Sequence, residues 1–424
     1  MRRKLKLKLQ NESNYSLKGS KMTSTNRFLL STISLGLMSA FILGTANAQT
    51  VYNAISSGKV YADLNLRFEN VSQSNVRQDA SAFTLRTRLG YTSDNISGWS
   101  FNIEMEDSRI VLGLGDYSVD PAGYNPGIYS VIADPETTEL DQGFIQYKNS
   151  TVTFKLGRQV IALDGHRFVG HVGWRQDRQT FDAATIAYQP NDKFEASYSF
   201  ITQRNRIFGE TADLDSKDHL FNASFQTSVG KLVGYAYLLE EDKQLQNGLD
   251  TYGASFNGKT AGKKLTWLYH VEYARQTAQT ETSDFDTDYL GIKLGASTND
   301  ITLNVGYEVL GSDNGLLGFS TPLATLHKYN GWADLFLSTP AQGLVDINLG
   351  VDTKAFGGNW KLVYHEYNAD EATSGVDDLG NEINAQYTTK LNKNYGVGVK
   401  YAKYSGEGGR PDTDKIWLWV NTKF

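Results

Sequence analysis

The stretch from residue 156 to 182 contains four arginines with Phe168 and Trp174 among them. The arginines are Arg158, Arg167, Arg175 and Arg178. A guanidinium can hold a carboxylate through two parallel hydrogen bonds, and a planar ring beside it suits the face of a sugar. The segment could therefore bind an acidic or saccharide solute. Its arginines could equally pair with Asp164, Asp177 and Asp182 and fold the segment inward as a constriction, and the two interpretations are compatible.

More charged residues alternate with apolar ones elsewhere in the chain. The basic members of this alternating set are Arg67, Arg86, Arg88, Lys155, Lys293, Lys361, Lys400 and Lys415. The acidic members are Asp63, Glu69, Glu104, Glu106, Glu195, Glu272 and Glu308. If these residues share one wall, the bases could form a track that attracts anions, or the two signs could neutralise each other. The sequence leaves both alternatives open.

Strands must position these side chains, because successive residues of a strand point to opposite faces. From Val60 onward, about eighteen segments of roughly ten residues place apolar side chains on one face and polar ones on the other. Short turns alternate with long connections near 107–138, 159–179, 203–218, 311–342 and 368–380.

This pattern predicts an all-β fold. The expected structure is a single transmembrane antiparallel β-barrel of about eighteen strands, with short periplasmic turns and long extracellular loops. A soluble β-sandwich shows the same alternation but rarely sustains it over so long a chain. The segment 329–337 could form a nineteenth strand; we assign it to a loop because both termini belong on the periplasmic side.

The last ten residues, 415–424, carry the clearest strand pattern. Ile416, Leu418 and Val420 fall on one face, whereas Lys415 and Trp417 fall on the other. An apolar edge strand is an aggregation hazard in water, whereas a closed barrel has no edge. A terminal strand that closes with Phe424 resembles the assembly signal of outer-membrane barrels, so the predicted partners are the lipid bilayer and the barrel-assembly machinery.

The amino-terminal residues predict export. Arg27 precedes an apolar run over 28–43, and small residues follow up to Ala48. We predict a signal peptide over 1–48, with Met22 as an alternative start, and a barrel over 49–424. The chain has no Cys and a net charge of −6. Disulfides are thereby excluded, and the acidic charge argues against nucleic acid as a partner.

Residues suited to catalysis or metal binding are scattered. The six histidines show no metal-ligand spacing, so we predict no metal and no cofactor. A barrel hydrolase would need a serine activated by a neighbouring histidine, and no turn brings a serine to His270 or His365. We therefore predict no catalytic residues, and keep a barrel enzyme only as the alternative from another class.

Several motifs resemble the alginate-export family of outer-membrane porins. They are Leu-Arg-Thr-Arg-Leu-Gly at 85–90, Glu-Met-Glu-Asp at 104–107, Ala-Asp-Pro at 133–135 before Glu-Leu-Asp-Gln at 139–142, the block from Gly-Arg-Gln at 157–159 to Gln-Thr-Phe-Asp-Ala at 179–183, and Asn-Gly-Trp-Ala-Asp at 330–334. The resemblance covers nearly the whole chain after the leader. It implies an eighteen-stranded barrel with an arginine-lined pore for an anionic uronate polymer. The chain departs from that pattern in its acidic balance and in the carboxylates among its inward bases.

We therefore expect a bacterial outer-membrane channel for hydrophilic solutes, anionic or saccharide in kind. A dedicated export port for an anionic polysaccharide such as alginate is the alternative. The predicted pore-lining residues are Arg67, Arg86, Arg88, Lys155, Arg158, Arg175, Glu104 and Glu106. The predicted constriction residues are Asp164, Arg167, Trp174 and Arg178.

Overall fold

The computed structural model describes residues 48–241, 246–280, 283–373 and 375–424. Residues 1–47 lie outside the described residues, so the signal peptide stays a prediction. Ala48, its predicted last residue, is the first residue of the helix α1 (Ala48–Ser56). No helix among the described residues is both long and apolar enough to cross a membrane.

Eighteen antiparallel strands form one closed sheet. They are β1 (Lys59–Gln73), β2 (Ala80–Thr92), β3 (Trp99–Asp116), β4 (Thr137–Lys148), β5 (Val152–Gln159), β6 (Thr180–Asn191), β7 (Phe194–Asn205), β8 (Leu214–Gln226), β9 (Gly230–Leu239), β10 (Gln246–Ala261), β11 (Thr266–Thr280), β12 (Asp284–Thr298), β13 (Ile301–Leu310), β16 (Leu344–Ala355), β17 (Gly358–Thr373), β18 (Val376–Lys390), β19 (Tyr395–Gly406) and β20 (Thr413–Lys423). The two-residue strands β14 (Ser312–Asp313) and β15 (Leu317–Gly318) form a separate small hairpin in the connection after β13.

Closure occurs between the first and last strands. β1 pairs with β2 on one side and with β20 on the other, where Leu66 lies opposite Val420. The closed ladder has no edge strand, so the backbone N–H and C=O groups of its strands can all be hydrogen-bonded within the sheet, as a structure that crosses lipid requires. The predicted barrel of eighteen strands is therefore confirmed, and the segment 329–337 belongs to a loop, as predicted.

The apolar face of the strands points outward. Leu303, Val305 and Leu349 are each more than half exposed, whereas inward neighbours such as Asp346 and Glu272 are almost fully buried. A soluble sandwich would bury the apolar rows and expose the charged ones. The reverse arrangement suits a wall that contacts acyl chains outside and polar groups inside.

Three connections differ from the sequence prediction. The long loop expected over 368–380 is wrong: β17 and β18 continue almost to a tight hairpin at Gly375. The loop expected over 107–138 is shorter, because β3 extends to Asp116. The loop expected over 203–218 is shorter as well, because β7 runs to Asn205 and β8 begins at Leu214. Period-two alternation fades at these barrel ends, where strands leave the membrane and neither face is lipid-covered, so composition alone underestimates strand length.

Two long connections fold toward the lumen and pack on each other. We call residues 160–179 the constriction loop and residues 311–343 the second loop. Val169 forms a parallel bridge with Leu323, and the Gly170 amide donates to the Leu323 carbonyl at 2.8 Å. Phe168 packs on the rings of Tyr289 and Phe319, with centroids 5.3 and 5.9 Å away. An apolar cluster thus anchors the constriction loop inside the barrel.

Candidate functional site

A belt of buried ion pairs joins the constriction loop to the barrel wall. Arg175 of the loop donates to Glu69 of β1 at 2.9 Å and to Asp334 of the second loop at 3.0 Å. Burial by itself would lower the pKa of the Arg175 guanidinium, but Glu69, Asp134 and Asp334 together raise that pKa above its ordinary value. The guanidinium is thus a permanent cation whose charge is fully compensated.

Arg67 belongs to the same belt. Its guanidinium pairs with Asp134, donates to the Trp174 carbonyl at 2.5 Å, and lies 5.0 Å from the centroid of the Trp174 ring. Asp134 also accepts the backbone amide of Gln176 at 2.9 Å. One buried carboxylate therefore connects β1 to the loop backbone, and the position of Trp174 follows from these contacts.

The remaining predicted arginines also have acidic partners. Arg86 pairs with Asp63 at 2.8 Å, and Arg88 pairs with Glu106. Arg158 pairs with Asp182 at 2.8 Å, as one of the two sequence interpretations proposed. At this level of the lumen, the structure favours mutual neutralisation over an open cationic track.

Two other loop arginines have partners that the sequence analysis did not foresee. Arg167 binds Glu308 at 2.7 Å, and Arg178 binds Asp141 through Nε at 2.9 Å and pairs with Glu104. The pairing of loop arginines with Asp164 and Asp177 is therefore wrong. Partners near in sequence were considered, whereas the fold brings in acids from strands far along the chain.

Asp164 instead lies near the start of the constriction loop, in a short 3-10 turn over Asp164–His166. It accepts from Asn222 of β8 and lies 3.8 Å from the amino group of Lys231. Lys155 lies on the luminal face of β5, with its amino group 4.7 Å from the centroid of Phe144 and no ion pair among the described residues. Whether the predicted pore residues line the path of a solute stays a prediction.

A buried lysine, a histidine and an aspartate form a chain of polar contacts across the belt. Lys400 lies 3.8 Å from the Trp174 centroid and contacts His327 Nε2 at 3.0 Å. His327 Nδ1 contacts Asp334 at 2.7 Å, and Lys415 reaches Asp334 at 3.2 Å. Burial lowers the pKa of His327 to about 3, despite the opposing effect of Asp334. His327 is therefore neutral, donating to Asp334 and accepting from Lys400.

Sequence reasoning did not assign a role to Asp134, Asp141, His327 or Asp334. Three of them fall within motifs that the sequence analysis identified: Asp134 in Ala-Asp-Pro, Asp141 in Glu-Leu-Asp-Gln and Asp334 in Asn-Gly-Trp-Ala-Asp. The backbone near them is also unusual: Gly331 has φ +88°, and a Cβ there would lie 2.2 Å from a Glu382 carboxylate oxygen. Only glycine fits this approach, because its backbone adopts positive φ without strain.

Backbone strain accumulates in the constriction loop. Val172 has φ 49°, a left-handed conformation that a β-branched residue rarely adopts. His166 and Asp164 also have positive φ, 72° and 41°. Surrounding contacts hold these conformations: the Val172 amide donates to Thr325 Oγ1 at 3.1 Å. Such strain persists where the surroundings over-determine the backbone.

Lysines on the luminal wall away from the belt are less compensated. Lys293 of β12 is exposed and makes no ion pair with a described residue, and Lys361 of β17 lies 4.0 Å from Asp352. Lys328 of the second loop donates to the Gly165 carbonyl at 2.8 Å and forms no ion pair within the described ranges. Desolvation and then the like charge of Lys361 lower the pKa of Lys328, which places these two ammonium groups in one neighbourhood. We call Lys155, Lys293, Lys328 and Lys361 the luminal lysines.

Comparison with solved structures supports the fold. The chain is similar to Pseudomonas aeruginosa OccK9 (OpdG), with a TM-score of 0.69 and 14% identity over 88% of this chain and 99% of that chain. It is similar to Acinetobacter baumannii OccAB4, with a TM-score of 0.68 and 12% identity over 88% and 99%. It is also similar to P. aeruginosa OpdK with vanillate, with a TM-score of 0.68 and 11% identity over 86% of this chain and 98% of that chain.

The sequence has no match among the curated proteins with which it was compared. The family model described as alginate export matches residues 56–309, more than half of the chain. This range includes β1, the constriction loop and the strands that supply most partners of the belt. Together with the closed barrel, the match identifies an outer-membrane channel of bacteria. The chain belongs to the alginate export family.

Proposed function

We propose that this channel passes small hydrophilic solutes and prefers anions, carboxylates above all. The observation that carries the proposal is the difference between the two sets of bases. The belt arginines are compensated by buried acids, whereas Lys155, Lys293 and Lys328 have no ion pair with a described residue. Unpaired luminal charges create a field that concentrates counter-ions, and paired charges largely cancel.

The arginines then act as positioning residues. They hold the constriction loop at a set height and fix the bore, while the luminal lysines provide the attraction for anions. This division changes the assignment made from sequence, in which Arg67, Arg86 and Arg88 would select the solute. No catalytic role is assigned to any residue, because the proposal needs only passage and no bond is broken.

Reversal potentials in planar bilayers test the proposal. Under a salt gradient, the wild-type channel should show an anion-selective potential, and the double variant Lys155→Gln, Lys293→Gln should shift it toward cations. Lys403→Gln is the matched control, because Lys403 lies on the outward face of β19 and is exposed. A cation-selective wild-type channel would refute the proposal, as would a double variant with the wild-type potential.

A dedicated export port for an anionic polysaccharide is the second candidate. The family match favours it, because the matched range includes the constriction loop. The solved structure of OpdK contains vanillate, a small aromatic carboxylate, which favours the first candidate by analogy of fold. Current block discriminates them: a stronger block by uronate oligomers than by vanillate would support the export port.

The last strand supports a proposed interaction with the barrel-assembly machinery. Phe424 is 66% exposed and follows the strand whose Leu418 and Val420 are exposed as well. Its amide donates to the Ala62 carbonyl at 2.9 Å, so the strand that would be recognised is also the strand that closes the barrel. Phe424→Ala should reduce the amount of assembled barrel in outer membranes, and an unchanged amount would remove this role.

A further inference from the structure

Three buried carboxylates meet where the constriction loop touches the barrel wall. Glu106 of β3 and Glu139 of β4 are cross-strand partners, and Asp177 of the loop joins them. Each offers a carboxylate oxygen, and these oxygens lie within 4.8 Å of one another. The residues are 0%, 7% and 0% exposed, so water screens their repulsion poorly. Like charges directly opposite on paired strands destabilise a sheet.

Two of these carboxylates have oxygens without partners. Glu139 Oε2 and Asp177 Oδ1 are buried and accept no hydrogen bond from a described residue. The other Asp177 oxygen accepts the Gly209 amide at 3.0 Å, and Glu106 accepts the Arg178 amide at 3.0 Å. The backbone thus fixes Asp177 and Glu106 in place while free lone pairs remain. Buried polar atoms are seldom left without a partner.

The neighbouring arginines pair with only one of the three carboxylates, Glu106. Arg88 pairs with Glu106, Arg178 with Asp141 and Glu104, and Arg158 with Asp182. Neither Glu139 nor Asp177 forms an ion pair with a described residue.

We propose that Glu106, Glu139 and Asp177 bind a calcium ion that ties the constriction loop to the β3–β4 wall. The ligands are all hard oxygens, which suit calcium or magnesium and not the softer transition metals. Oxygens that lie within 4.8 Å of one another can share a calcium ion, whose oxygen ligands lie about 2.3–2.6 Å away. Calcium also accepts irregular coordination completed by water. Ser108 Oγ, on the same face of β3, is a further buried oxygen without a partner.

The location gives the ion a structural role. Glu139 is near the start of β4, at the extracellular end of the barrel, and Asp177 lies just before β6 begins at Thr180. A bound cation would link β3 and β4, through Glu106 and Glu139, to the end of the constriction loop at Asp177. The inference is independent of the solute preference proposed above, because it concerns the anchoring of the loop.

Calcium binding to the purified full-length chain in detergent tests the inference. After treatment with a chelator, isothermal titration with calcium chloride should show saturable binding of about one ion per chain, with the millimolar to sub-millimolar affinity of extracellular sites. Asp177→Asn and Glu139→Gln should each weaken the binding at least tenfold. Asp192→Asn, in an exposed turn, is the control and should bind as the wild type does.

A second measurement keeps the inference testable if a variant folds poorly. Calcium should raise the urea midpoint of the wild-type barrel, and the chelator should reverse the change. Absence of saturable binding to the wild type would overturn the inference. Binding by both variants with the affinity of the wild type would also overturn it. A third contrary result is that Asp177→Asn raises the urea midpoint while calcium has no effect, because the carboxylates would then share a proton and bind no ion.

Discussion

His327 makes the stability of the barrel depend on pH in a direction that the structure determines. The imidazole is buried between Asp334, 2.7 Å away, and the ammonium of Lys400, 3.0 Å away, and it stacks on Trp174 at 5.1 Å. Removal of the imidazole from water is the main cause that lowers the pKa of His327 from 6.5 to about 3, and the charge of Lys400 lowers it further.

The sign and size follow from proton linkage. The unfolded chain takes up a proton on His327 below pH 6.5, whereas the folded chain does so only near pH 3, so the contribution of His327 to stability falls as pH falls through this window. Each pKa unit corresponds to about 1.4 kcal/mol. Because pH 5 lies about 1.5 units below the pKa of 6.5 in the unfolded chain, protonation there stabilises the unfolded state by about 2 kcal/mol, and the free energy of unfolding falls by that amount relative to pH 8.

Urea unfolding in lipid vesicles, followed by tryptophan fluorescence, measures this loss. His327→Gln cannot titrate and still offers a donor and an acceptor, so acids elsewhere affect both proteins alike. The difference in unfolding free energy between wild type and variant should shrink by about 2 kcal/mol between pH 8 and pH 5. A constant difference would refute the reasoning. A widening difference would mean that His327 is charged and that its ion pair with Asp334 outweighs burial.

Three further substitutions test the belt, the wall and the turn geometry. Asp334→Asn should lower the free energy of unfolding by about 3 kcal/mol, because Lys415 loses its ion pair while Arg175 keeps its pair with Glu69. Its control is Asp300→Asn, at an exposed turn, which should lower it by less than about 1 kcal/mol. Leu349→Arg, midway along β16 on the outward face, should cost about 2–4 kcal/mol in vesicles, whereas Lys354→Arg at the strand end should be neutral. Gly157→Ala should lower the free energy of unfolding by about 3 kcal/mol or more, because φ is +121° and a Cβ would lie 2.3 Å from the Gly143 carbonyl oxygen. Its control is Gly113→Ala, at φ +70° with no atom near the new Cβ, which should lower it by about 1 kcal/mol. An equal loss at target and control in any pair would contradict the account of that site.

Much of the barrel followed from local pattern. Alternation with period two identified the lipid-facing rows, such as Leu418 and Val420 of β20, because a strand exposes every second side chain to acyl chains. The same alternation placed Arg67, Lys293 and Lys400 on the inner face. It failed at 368–380 and at the end of β3, where no lipid contact imposes a pattern and strand pairing alone extends the hairpins.

Only the tertiary structure decided which inward charges neutralise each other. Arg175 meets Glu69 and Asp334, which are more than a hundred residues away in sequence, because two loops fold into one lumen. The gathering of Glu106, Glu139 and Asp177 depends equally on strand register and on the path of the constriction loop. The sequence determined which faces are wet and which contact lipid, since that depends on neighbours in the chain. Ion pairing depends on distances of a few ångströms between separate segments, and those distances exist only after the barrel has closed.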